Sequence, residues 1–167
     1  MQFPIHLIFG ILIQLTINSF IPITSILNPI FIIIFAFSSH FILDAIAKAT
    51  YHPPERINNR FWLYWHLFTY GIGFLITLLF VWQYFLGMLF ANATDIWDWL
   101  FLRREAKRRN DPNWGKKYYL HPIADKIRAT FFFWLPNLNY NQKGILPETL
   151  FIIFWLFSII LYPSLYF

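Results

Sequence analysis

From Phe61 to Leu102 the chain runs for 42 residues with only two charged side chains, Asp95 and Asp98. One membrane-crossing helix needs about 20 apolar residues, so this stretch has the length of two spans. No Gly/Pro turn divides it. The polar, interface-like Val81-Trp82-Gln83-Tyr84 is the best break. The rival is one long tilted helix ending near Ala91, with 95–104 lying on the surface. Two spans are preferred, because they bring the charged loops around 48–60 and 103–146 to one side of the membrane.

The remaining spans follow from the same reasoning. Residues 3–20 are mostly apolar, with His6, Gln14, Thr16 and Asn18 among the exceptions. Pro22 and Asn28-Pro29 bracket a turn, and a second span runs over about 29–48. Pro53-Pro54 bars helix in the polar loop that follows. Spans at about 61–80 and 84–102 come next, and Pro147 opens a last one over 147–167. The expected fold is all-α: one polytopic membrane helix bundle of about five spans with a cytoplasmic amphipathic segment. Only 13% of the residues are charged, against about 25% in soluble domains, which agrees. The first apolar stretch lacks a basic start and a small-residue cleavage site, so it is expected to stay as a helix.

The net charge of +5 is concentrated in the segment 103–146, which holds Arg103, Arg104, Lys107, Arg108, Arg109, Lys116 and Lys117. Basic runs beside apolar spans mark the cytoplasmic side and its anionic lipids. The chain is therefore read as an integral protein of the plasma or inner membrane, N-terminus cytoplasmic and C-terminus outside. Nucleic acid is not expected as a partner. Membrane lipids are, with membrane protein partners or a second copy of the chain. Within the basic segment, His121 to Trp134 predicts a short interfacial amphipathic helix.

Nearly all acidic and imidazole side chains near the spans fall into helix-spaced pairs: His40 with Asp44, Asp95 with Asp98, and His121 with Asp125. His6 and His66 stand alone. An ionisable group in hydrocarbon costs roughly 2.5–3.5 kcal/mol, so several together need a compensating reason. At about 1.5 Å per residue, Asp44 and His40 lie roughly 6 and 12 Å from the end of their span, and Asp98 and Asp95 match those depths. With five spans, the groups share one slab under the cytoplasmic headgroups.

With no cysteine, any metal is held by N and O donors. Such a set suits Zn best, then Mn or Fe. His40, Asp44, His66, Asp95 and Asp98 are the expected ligands. Asp98, His121 and Asp125 are the catalytic candidates, and Arg103, Arg104 and Lys116 can hold an anionic headgroup by charge-assisted bonds. A bound divalent metal makes hydroxide available for hydrolysis. Proton or ion relay is an alternative, and so is a non-catalytic membrane subunit or assembly factor. His52, beside Pro53, reads as a loop residue. Glycine-rich phosphate loops, nucleophile elbows and His-Glu-x-x-His helices are absent.

Ser39-His-Phe-Ile-Leu-Asp-Ala45, followed by Tyr51-His-Pro-Pro54, resembles the inner-membrane metal-dependent hydrolase family. Ile5-His6-Leu7-Ile8-Phe9-Gly10 is similar to that family's early histidine element. Ala93-Thr-Asp95-Ile-Trp-Asp98 is similar to its acidic one, although here it follows rather than precedes the Ser-His-x-x-x-Asp element. Of the family's His-Arg-Gly-x-Thr-His motif, only Trp65-His66-Leu67 offers a counterpart. The resemblance implies a metal-assisted hydrolase of phosphoester or lipid-like substrates.

Overall fold

The computed structural model describes residues 3–53, 60–114 and 118–161, and every regular element among them is helical. In chain order these are α1 (Phe3–Phe20), α2 (Leu27–Ile46), α3 (Arg60–Ala91), α4 (Ala93–Asp95), a π-helix (Ile96–Leu102), α5 (Arg103–Arg108), α6 (His121–Phe131) and α7 (Ile145–Leu161). Four stretches are long and apolar enough to cross a membrane: Phe3–Phe20, Leu27–Ala49, Arg60–Ala91 and Gln142–Leu161.

The third of these is not straight. Tyr84 has φ −124° and ψ 26°, outside the helical range. On a straight helix Tyr70 and Asp95 would be about 38 Å apart at 1.5 Å per residue, yet they line one cavity. The neighbours of α1 show the path. Phe3 meets Gly73 and Tyr70, and Gln14 meets Gln83. Gly87 then lies against Gly10, and Ala91 sits at the level of His6 through the intervening His40. The chain climbs beside α1 to Gln83 and descends beside it to Ala91. With the descending limb continued through α4 and the π-helix, the bundle has five limbs, and the break falls within the segment 81–84.

A bend in an apolar environment strands backbone groups, because no water is there to receive them. On either side of Tyr84 stand the Gln83 carbonyl and the Gly87 N–H, which an unbroken helix would pair with each other. The Gln14 side chain bonds to both from the neighbouring helix. Its amide NH₂ donates to Gln83 O at 3.1 Å, and its Oε1 accepts from Gly87 N at 2.8 Å. Gly10 and Gly87 allow the approach. A Cβ on Gly10 would stand 2.6 Å from the Gly87 carbonyl carbon and 2.8 Å from Met88 N.

α1 begins and α2 ends at one end of the bundle, so their connecting turn over 21–26 lies at the other. α7 packs on α1 through Phe9 with Phe151 and Trp155. It starts at the same end as residues 47–53, where Gly144 touches the backbone of Thr50 and Tyr51. That connection is not the solvated loop that its polar composition suggests. Thr50 and Tyr51 are buried, and the Leu138 N–H donates to Lys48 O at 2.7 Å, strapping residues 136–141 across it. The continuation of that loop, 54–59, lies outside the described residues. The amphipathic helix of the basic segment ends at Phe131 rather than Trp134.

Gln14→Leu leaves two backbone groups at the bend without partners. Unfolding in detergent should show a loss of roughly 2 kcal/mol or more, against about 0.5 kcal/mol or less for the exposed Thr16→Val. The chain's lack of cysteine gives a clean labelling background. A membrane-impermeant thiol reagent should reach Arg108→Cys and Gln142→Cys from one side of the membrane and Thr24→Cys from the other. Labelling of all three from one side contradicts the folded-back α3.

Candidate metal centre

Five side chains from four elements aim ligating atoms at one point. His6 comes from α1, His40 and Asp44 from α2, Asp95 from α4 and His121 from α6. Asp44 sits at the middle. Its Oδ1 is 3.2 Å from His6 Nε2, and its Oδ2 is 3.2 Å from His40 Nε2 and 3.6 Å from His121 Nε2. Asp95 Oδ1 is 3.1 Å from His121 Nε2 and 3.9 Å from His40 Nε2. Donors around a tetrahedral ion with bonds of about 2.0–2.1 Å stand about 3.3–3.4 Å from one another. The distances among His40, Asp44, Asp95 and His121 scatter around that value. Two triplets have donor atoms within 4.8 Å of one another and can hold a metal: His6, His40 and Asp95, and His40, Asp44 and His121.

The imidazoles are oriented for this. His40 Nδ1 lies 2.8 Å from the carbonyl of Ala91, which can only accept, so Nδ1 carries the proton and the Nε2 lone pair faces the cluster. His40 is fully buried, and among the described residues that Nε2 has no hydrogen-bond partner. His6 stacks on His40 with centroids 4.2 Å apart, is equally buried, and among the described residues has no hydrogen-bond partner at either nitrogen. Buried nitrogens with open lone pairs, aimed at carboxylates, are what a cation would satisfy.

His121 is set from both sides. Its Nδ1 donates to Asp98 Oδ2 at 2.7 Å, while Nε2 faces Asp95. Burial disfavours the imidazolium. The hydrogen bonds to Asp95 and Asp98, with the charge of Asp44, outweigh that and push its pKa up to about 9. Asp98 itself is wholly buried and also accepts from the backbone N–H groups of Tyr119, Leu120 and His121. It closes the start of α6 from another helix, and these four donors turn it away from the shared point.

The other sequence candidates are placed as follows. His66 lies on the ascending limb of α3, its Nδ1 donating to Trp62 O at 2.7 Å, and it belongs to neither triplet. Asp125 pairs with Arg128 at 2.7 Å and lines the cavity beside the cluster. Arg103 is sandwiched between Trp99 and Tyr118, 3.9 and 4.1 Å from their ring centres. Arg104 is exposed on α5, and Lys116 lies outside the described residues. The cavity measures about 580 Å³; Phe3, Tyr70, Trp99 and Tyr118 supply its aromatic lining, and Asp44, Asp95 and His121 bound it.

His52 also lines that cavity, and its buried Nδ1 has no hydrogen-bond partner among the described residues. Burial holds its pKa down at about 3, so at neutral pH it is an uncharged base. Its composition as a polar loop conceals this. The one sequence signal is its place just past the end of the helix that carries His40 and Asp44.

No family model matches the chain, and neither a curated protein nor a solved structure matches it. The metal centre is therefore tested on the protein itself. Zn affinity, measured by competition with a chromophoric chelator, should fall at least 10-fold in His40→Ala and in Asp44→Asn and stay within about 2-fold in His66→Ala. Equal losses in all three would mean that the cluster has no special place in binding.

Proposed function

We propose that this chain is a membrane-embedded metal-dependent hydrolase. It acts on an amphipathic, lipid-like substrate, phosphorylated ones included, at the level of the cytoplasmic headgroups. The carrying observation is the joining of two features: a cluster of three imidazoles and two carboxylates aimed at one point, and an aromatic cavity of about 580 Å³ that opens beside it. The resemblance of Ser39-His-Phe-Ile-Leu-Asp-Ala45 to the inner-membrane metal-dependent hydrolases points the same way.

The chemistry follows from the donor set. Imidazole and carboxylate suit Zn first, with Mn or Fe as alternatives. A divalent ion so held supplies Lewis acidity and lowers the pKa of water. The protein's own groups do the rest. The aromatic wall of Phe3, Tyr70, Trp99 and Tyr118 receives apolar substrate. Arg128 and His121, whose pKa is raised, line the cavity, and Arg103 and Arg104 lie on the side where headgroups would approach. His52 is the group left to handle a proton near the cluster, because Asp95 is engaged by His121, Asp98 by its four donors and Asp125 by Arg128. Arg103, Arg104, Lys107 and Arg108 lie at the cluster's end of the bundle. The positive-inside rule puts that end, and the N-terminus, in the cytoplasm of a plasma or inner membrane.

A second reading has its own support. An ion whose coordination positions are all filled by protein donors has a closed set, which is the habit of structural ions. The chain would then be a non-catalytic membrane subunit whose helices are pinned by metal.

Purified protein should contain about one divalent ion per chain. It should release phosphate or fatty acid from a panel of phosphatidic acid, lysophospholipid and polyprenyl phosphate. Chelation or Asp95→Asn should lower the rate by 100-fold or more. Stoichiometric metal with no turnover on any of these favours the structural ion, and absence of metal from wild-type protein rejects both.

A further inference from the structure

We propose that α6 is a metal-linked cover: His121 carries the last ligand onto the centre from outside the bundle, and Asp98 is the positioning residue that aims it. The inference rests on the metal reading above and adds what regulates access to that site.

The bundle's limbs contribute His6, His40, Asp44 and Asp95. α6 is not one of those limbs. It is a short amphipathic helix packed on α2, and its single fully enclosed side chain is Ala124. Beside its packing on α2, Arg128 ties it to the bundle: Nη2 donates to Asp44 O at 2.7 Å and Nε donates to Ala45 O at 3.2 Å. These bonds satisfy carbonyls at the end of α2. The other attachment runs through His121 and Asp98. Asp98 gathers three backbone N–H groups at the start of α6 and the Nδ1–H of His121. One buried carboxylate thus fixes both where α6 begins and which nitrogen of His121 faces Asp44 and Asp95.

A carboxylate on the far nitrogen of a ligating imidazole sets its tautomer and basicity. The same contact here also caps a helix that roofs the cavity, since His121, Pro122, Ala124, Asp125 and Arg128 all line it. An ion bound between His121 and the bundle therefore ties the cover down. Release of His121 would free one coordination position on the side facing the cavity.

Zn²⁺ is the probe, and hydrogen exchange of peptides spanning 121–131 in detergent is the readout. In wild-type protein, saturating Zn²⁺ should slow exchange in α6 by at least 10-fold and leave α7 unchanged. Asp98→Asn should bind Zn²⁺ about 10–100-fold more weakly and alter the visible spectrum of the Co²⁺ form, which a purely structural cap would not do. His121→Gly with added imidazole should recover Zn²⁺ affinity without recovering α6 protection. Stoichiometric Zn²⁺ binding with unchanged α6 exchange, or wild-type affinity in His121→Gly without imidazole, overturns the cover while leaving a metal centre in place. Failure of wild-type protein to bind Zn²⁺ overturns the metal reading and the cover with it.

Discussion

The fold depends on one side-chain amide. Gln14 takes the two backbone groups that the bend at Tyr84 releases, and without such a partner a reversal inside hydrocarbon is too costly to keep. The reversal sends residues 87–91 back down α1, which places Ala91 against His40 and Asp95 beside His121. A straight α3 would carry Asp95 about 38 Å from Tyr70. The convergence of these His and Asp side chains thus depends on backbone hydrogen bonding at Gln83 and Gly87, about one to two turns before the Ala91 carbonyl that orients His40.

Electrostatics then decides what the converged groups can be. Asp44 and Asp95 face a cluster whose imidazoles include His40, fixed as a ligand-type tautomer by Ala91. Carboxylates kept away from water need positive charge or hydrogen-bond donors beside them. His121 meets part of that need, whereas Arg128 is spent on Asp125 and on the α2 carbonyls. The same donors could hold a metal ion.

The helical class and the break near 81–84 were legible because apolar length and interface-like side chains report directly on membrane spans. The pairing of His40 with Asp44 was legible because spacing of four residues is a property of one helix. His6 was visible only as a lone polar group, since its meeting with Asp44 depends on how α1 and α2 pack. The role of Asp98 was hidden for another reason. Sequence spacing pairs it with Asp95 as an equal, but the π-helix that starts at Ile96 turns the two carboxylates onto opposite nitrogens of a single imidazole. His66 sat at a matching depth, yet depth does not fix azimuth, and its ring lies on Trp62 instead. His52 was masked by its loop composition, because burial there comes from the 136–141 strap and Gly144, both distant in sequence.

On the proposed hydrolase reading, one ligand would give way when a substrate arrives. His6 and His40 are fully enclosed, held by stacking on each other, and His40 is anchored to Ala91. Asp44 contacts three imidazoles at once. Moving any of these disturbs the packing of α1 against α2. His121 differs: its side chain is 21% exposed, its helix lies outside the limbs, and it borders the cavity. The cheapest open coordination position is therefore the one that His121 vacates, and it opens toward the aromatic wall rather than into the bundle. With an ion bound as proposed, a membrane floor that holds it and a surface helix that lends the last donor would together separate retention of the metal from access to it.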